Sequence, residues 1–320
     1  MSETAEIQIY QIDFDSPHRL GERPEKELGK PKWLATDGDT YSLCQATKVI
    51  TKLPDGMYNV FQSQQGGMHA AKVYPETDTL YHLPNPLIKQ LVEEIAGFWE
   101  KADEFKNHEI KHKRGILLHG GPGVGKTSTI NLLASALINN GGLVFSASNI
   151  NELLWFAEFA NRHLRVVEPT RPVILILEDL DKMMDGGNAE SMLLNFLDGE
   201  LSVNHLVVVA TSNRYDNLND LVLRPSRFDT HVKMESPTEE VRQAYLIRKG
   251  LTEEDAKEWA KITPEFSLAE LKEVFISVKL LGFSLQVAKD RVKKQSTDVK
   301  NTTFKKKDSK GIGFTFSDKK

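Results

Sequence analysis

Gly120-Gly121-Pro122-Gly123-Val124-Gly125-Lys126-Thr127 fits the spacing G-x-x-x-x-G-K-[ST]. The apolar run Gly115-Ile116-Leu117-Leu118-His119 precedes it, and a stretch of helical periodicity from Ser128 to Ile138 follows. Strand, glycine-rich turn and helix in that order make a phosphate-binding loop. Glycines let the backbone approach a ligand closely, so that successive N–H groups turn inward around phosphate oxygens at a helix N-terminus. Lys126 brings a point charge to the β and γ phosphates, and the Thr127 hydroxyl has the length and hardness to ligate Mg2+. Gly120 through Ser128 are therefore the candidate nucleotide contacts.

Outward from this loop the chain alternates. Strands are expected at 115–119, 143–147, 173–178 and 205–211, and helices at 126–138, 150–165 and 189–197. That order predicts an α/β fold, a parallel sheet with helices on both faces. Upstream, 84–113 has helical spacing, with Ile88, Leu91, Val92, Ile95, Phe98 and Trp99 on one face. After Pro237 the strand signals stop, and helices are expected near 238–249, 252–261, 267–280 and 283–294. Before residue 78 the texture is Pro- and Gly-rich with short β-prone stretches, including a hairpin of 57–63 and 68–74 around Gln65-Gly66-Gly67. The expected organisation is a small β-rich N-terminal module at 1–78, an α/β core at 79–236, a small all-helical lid at 237–290 and a basic tail at 291–320. The N-terminal module either packs on the core or binds a partner; its residues carry no chemistry that separates the two.

Composition sets the class. With 320 residues, 40% hydrophobic and 27% charged, the chain suits a folded protein with a substantial core. Apolar runs such as Val173–Leu177 are too short to cross a bilayer, and Met1–Glu6 lacks the basic and apolar regions of a signal peptide. The single cysteine, Cys44, rules out an intrachain disulfide and fits a reducing interior, so the cytoplasm is the expected location. A net charge of −4 gives no basic field for nucleic acid. The tail is the exception: residues 291–320 hold ten Lys or Arg against three Asp, and they read as a disordered, solvated segment with polyanion binding as the rival role.

A second constellation lies further along. Val173-Ile174-Leu175-Ile176-Leu177 ends in Glu178-Asp179-Leu180-Asp181, acids at the carboxyl end of a strand, where ligands of open α/β sheets bind. Neighbouring strand residues point to opposite sides, so one of the two acids can hold the Mg2+ shell while the other orients and deprotonates the attacking water. A third strand, Leu206–Thr211, leads into Ser212-Asn213-Arg214, and Leu223-Arg224-Pro225-Ser226-Arg227-Phe228-Asp229 follows.

With these motifs in order, together with Leu193–Gly199 between them, the chain resembles AAA ATPases that carry the second region of homology, across roughly residues 80–290. It reads as a soluble member of bacterial or phage type. The resemblance implies a P-loop NTPase core with a helical lid, bound ATP and Mg2+, and hydrolysis of ATP. It assigns Asn213 to sensing the γ-phosphate or the water. Arg224 and Arg227 become arginine fingers that reach the neighbouring subunit's nucleotide, a role suited to a guanidinium fork. A finger supplied in trans requires a head-to-tail ring; the family precedent is a hexamer acting on a protein client. The order Glu178-Asp179 departs from the usual Asp-Glu and resembles the group that includes the mitochondrial Rieske-protein translocase; matched to the family pattern, Glu178 is assigned to Mg2+ and Asp179 to the base, with Asp181 a nearby acid that can share the base role.

Other readings stand beside this one. Trp155-Phe156-Ala157 lies near the position of a substrate-gripping pore step but lacks its glycine, and core packing explains it equally well. His108-Glu109-Ile110-Lys111-His112 matches the H-E-x-x-H zinc pattern, yet it abuts the first strand and no third ligand follows, so a connector is expected there. For the whole chain, the alternatives to protein remodelling are a slow ATP-gated scaffold and a nucleic-acid remodeller using the tail. A GTPase is disfavoured because no Asn-Lys-x-Asp segment is present.

Overall fold

The computed structural model describes residues 32–37, 40–44, 52–63, 67–74, 86–184 and 187–295. Met1–Glu6 and the part of the basic tail from 296 onward lie outside them. The chain divides into two compact units, 1–235 and 236–320.

In the first unit β1 (Lys32–Asp37) and β2 (Thr40–Cys44) form an antiparallel pair of their own. β3 (Gly56–Gln62) and β4 (Met68–Val73) are the expected hairpin. Two helices follow, α1 (Pro86–Glu100) and α2 (Ala102–Asn107), so the helical stretch stops short of Lys113. Then come β5 (Lys113–His119), α3 (Lys126–Asn139), β6 (Leu143–Ala147), α4 (Ile150–Phe159) and α5 (Arg165–Val167). The unit ends with β7 (Val173–Leu177), α6 (Leu180–Met183), α7 (Ala189–Asp198), β8 (Leu206–Ser212) and β9 (Thr230–Lys233).

Seven strands form one sheet in the order β4-β3-β6-β7-β8-β5-β9, parallel at every pairing except β3 with β4. One register row reads Ala147, Leu177, Ala210, Leu117. Because strand side chains alternate, this row and every second one face α4 and α7, where Leu153, Phe156, Leu193 and Phe196 complete a buried cluster. The intervening residues, Ile116, Leu118, Val144, Ile174, Ile176, Val207 and Val209, face Leu91, Ile95 and Trp99 of α1 and Ile130, Leu133 and Leu137 of α3. Strands buried on both faces are the reason these segments read as unbroken apolar runs.

The hairpin extends this main sheet: β3 pairs with β6 in parallel, Met57 opposite Val144. A buried ionic clamp fixes its base. Arg171 Nε donates to Gly141 O at 2.9 Å, its two terminal nitrogens reach Leu53 O, Glu168 and Asp55, and Leu53 N–H donates to Glu168 Oε1 at 2.8 Å. After β6 the helix does not break. A π-helical turn, Ala160–Leu164, joins α4 to α5, so 150–167 is one helical run.

The second unit is helical, as expected: α8 (Glu239–Arg248), α9 (Glu253–Ile262), α10 (Leu268–Phe275) with a π-helical end at Ile276–Leu280, and α11 over 285–295. α11 therefore occupies the first residues of the expected tail. Thr238, Thr252 and Ser267 each accept a backbone N–H three residues on, and Ser267 with Glu270 makes a full capping box. Buried Arg242 donates to Ala260 O and Pro237 O, tying α8 to α9. Among the described residues no helix is long and apolar enough to cross a membrane.

Candidate nucleotide site

The glycine-rich loop leaves β5 at Gly120, whose φ is +152°; a Cβ there would overlap the Met234 carbonyl, so the turn must be glycine to pack beside the end of β9. Gly125 (φ +101°) is the N-cap of α3, and no side chain caps that helix. The N–H groups of its first turn are thus left for an external acceptor. Lys126 is buried, and its ammonium donates to Gly120 O and Gly121 O, both at 2.7 Å. Two of its three protons are used by the loop and one is left for a phosphate oxygen. Burial lowers the Lys126 pKa, and the charges of Asp179 and Asp181 oppose that shift. Thr127 and Ser128 are exposed, as are Gly121, Pro122 and Gly123, while Val124 is half-buried.

The acids after β7 meet the end of β8. Asp179 has a left-handed backbone (φ +51°), which aspartate tolerates better than most residues. Its N–H donates to Thr211 Oγ1 at 3.0 Å. Asn213 Nδ2 donates to Asp179 Oδ1 at 2.8 Å, and Lys182 Nζ to Asp179 Oδ2 at 2.5 Å. Asp181 accepts from Ser212 Oγ at 2.9 Å and from Asn213 N–H at 3.3 Å, so this carboxylate holds the Asn213 loop. Glu178 is exposed and has no hydrogen-bond or ion-pair partner among the described residues. The strand-end logic thus brings Asp179 and Asn213 together, with Lys126 in electrostatic range. Thr211 and Ser212 lie inside the motif the sequence singles out, but their contacts depend on register; Lys182 carries no sequence signal.

The two arginines differ. Arg224 is exposed, whereas Arg227 is largely covered, donating to Leu221 O with its Nε 3.7 Å from Asp198 Oδ2. Ser226 between them has φ +75°; its N–H donates to Asp229 Oδ1 at 3.0 Å, and Lys113 Nζ donates to its carbonyl at 3.0 Å. Asp229 also accepts from Gly115 N–H at 2.9 Å, pinning the turn to β5.

Trp155 and Phe156 lie on α4; Phe156 is buried against Phe145 and Phe196, and Trp155 is half-buried beside the same cluster. The H-E-x-x-H stretch follows α2 as an irregular turn, with Glu109 at φ +58°. His112 is buried, stacked 3.9 Å from the Phe98 ring, with Nε2 2.8 Å from Phe98 O and Nδ1 2.6 Å from His205 Nδ1. Both its nitrogens are occupied by the core, and the two histidines of the motif do not share a helix face.

A parallel sheet with a glycine-rich loop after one strand and acids after another defines a P-loop nucleoside triphosphatase. Residues 116–236 match the AAA family, described as "ATPase family associated with various cellular activities". The chain thus contains an AAA ATPase domain, an ATP-binding and ATP-hydrolysing module. It is 32% identical over 217 residues to the ATP-dependent zinc metalloprotease FtsH 1 of Symbiobacterium thermophilum, covering 61% of this chain and 36% of that protein. To the 26S proteasome regulatory subunit 6A of Saccharomyces cerevisiae it is 31% identical over 217 residues, 61% of this chain and 49% of the other. To FTSH 11, a chloroplastic/mitochondrial ATP-dependent zinc metalloprotease of Arabidopsis thaliana, the identity is 30% over 254 residues, 70% and 30% of the two chains. The chain therefore spans half or less of the length of each of these relatives.

Proposed function

We propose that this chain is a cytoplasmic AAA ATPase that uses ATP turnover in a ring, hexameric by family precedent, to remodel a protein partner. The contact between Asp179 and Asn213 carries this reading: a carboxylate placed to take a proton from water is held by the side-chain amide assigned to the γ-phosphate, beside Lys126. Gly120 to Ser128 hold the triphosphate through loop N–H groups and Lys126. The exposed Thr127 hydroxyl and the unpartnered Glu178 carboxylate are hard oxygen donors that fit Mg2+. The ion, when bound, supplies charge neutralisation across the β and γ phosphates. Asp181, through Ser212 and Asn213, keeps the sensing amide in place. Arg224 is the exposed finger for a neighbour's site; Arg227, engaged within its own chain, shapes the turn that presents Arg224 and reaches a neighbour on leaving Asp198. The Glu178-Asp179 order is the ground for grouping the chain with the translocase type. Proteolysis is not proposed, since His112 belongs to the core.

A second reading, a slow ATP-gated assembly protein, is favoured by the unbroken helical run 150–167, which buries Phe156 and offers no loop there to grip a polypeptide. ATP hydrolysis per subunit, measured across protein concentrations, separates the two. A rate that climbs with concentration and falls when Arg224→Ala subunits are mixed in supports catalysis completed in trans. A flat, robust rate overturns the ring arrangement, and tight ATP binding without turnover selects the assembly reading.

A further inference from the structure

Asp179 has two oxygens and two donors, and only one of the donors belongs to the nucleotide machinery read above. Asn213 holds Oδ1 at 2.8 Å; Lys182, one turn along α6, holds Oδ2 at 2.5 Å. The Lys182 side chain is 70% exposed, and its pKa is raised by the hydrogen bond and charge of Asp179. The exposed ammonium is held by the carboxylate, and the carboxylate is held on one oxygen by Asn213 and on the other by Lys182.

We propose that Lys182 is a positioning residue that latches Asp179, holding its carboxylate turned toward the short helix and suppressing unstimulated ATP turnover. This rests on the reading of Asp179 as general base. A base must present a free lone pair to the attacking water in line with the γ-phosphate. With Oδ1 given to Asn213, Oδ2 is the oxygen left to meet that water, and it is the one Lys182 holds. Solvent-exposed ion pairs of this kind are weak and readily exchanged. The latch therefore opens when another anion competes for the ammonium, and it slows turnover without abolishing it. Lys182 does not act on the nucleotide; it acts through the orientation of Asp179.

The test compares Lys182→Met, Lys182→Arg and Asp179→Asn by steady-state ATP hydrolysis at matched oligomeric state. Lys182→Met is expected to raise kcat about threefold, the scale of one exposed ion pair, with KM for ATP unchanged. Lys182→Arg, which keeps the cation, is expected to retain the wild-type rate. Asp179→Asn is expected to be inactive alone and in combination with Lys182→Met. An unchanged or lower kcat in Lys182→Met, with Asp179→Asn inactive, overturns the latch and leaves the base assignment standing. Wild-type turnover in Asp179→Asn overturns the base assignment and the latch with it.

Discussion

Asn213 Nδ2 lies 2.8 Å from Asp179 Oδ1, joining the carboxyl ends of β7 and β8 across the position where the sheet presents its ligand crevice. The residues are 34 positions apart and meet because the two strands run parallel with Leu177 opposite Ala210. The amide orients the carboxylate, and in the proposed reading it also meets the γ-phosphate. Asn213→Ala removes this donor, and loss of one such preorganised donor lowers kcat by about 100-fold or more. ATP affinity, read by equilibrium binding of a fluorescent nucleotide, is expected to hold, because Lys126 and the loop N–H groups are untouched. An equal loss in binding and in turnover would assign Asn213 to ground-state binding instead.

Stability is expected to fall as the solution is acidified, through the His112–His205 pair. Burial, then Arg165 and His112, push the His205 pKa down from 6.5 to about 4, and burial lowers His112 as well. Between these values the unfolded chain takes up a proton that the folded chain refuses, so stability drops as pH falls from 6.5 and the loss is complete below 4. At pH 5 it amounts to at most about 2 kcal/mol from His205. Urea midpoints at pH 7.5 and pH 5 measure it. His205→Asn, chosen because asparagine accepts the left-handed backbone at this position (φ +57°), is expected to narrow the difference.

Ser226 stores strain between the two arginines. Its φ of +75° lies in the left-handed region, which costs a non-glycine residue about 1–2 kcal/mol. Ser226→Gly is expected to keep or slightly raise thermal stability, while Ser226→Val, branched at Cβ, lowers it by about 1 kcal/mol or more. Differential scanning calorimetry of the three proteins decides this; equal melting temperatures would show that the turn relaxes without strain.

The parts of the molecule legible in the sequence are those whose chemistry or periodicity is local. The phosphate loop announces itself by spacing, and β5, β6, β7 and β8 by apolar runs that only doubly buried strands need. Asp179 is legible as an acid at the carboxyl end of a strand and Asn213 only through the family resemblance of residues 210–214; that the two meet follows from the register of β7 and β8. β9 was missed: Thr-His-Val-Lys buries only Val232, so a sheet-edge strand of four residues leaves no run to detect. Arg224 and Arg227 look equivalent in sequence, and only the fold shows that Asp198 and the Leu221 carbonyl claim one of them. Lys182 is an ordinary exposed lysine until its carboxylate partner is seen.

The hairpin seated on β6 sets where this protein can be cut. A shortened chain starting at α1 would keep the phosphate loop, the acids, Asn213 and both arginines. It would lose β3, and with it the partners of Leu143, Val144, Phe145 and Ser146, together with the Leu53 and Asp55 ends of the Arg171 clamp. The smallest piece worth expressing is therefore fixed by closure of the sheet and not by the chemistry: start downstream of β3, and an open apolar strand greets every other molecule in the tube, with precipitation as the outcome.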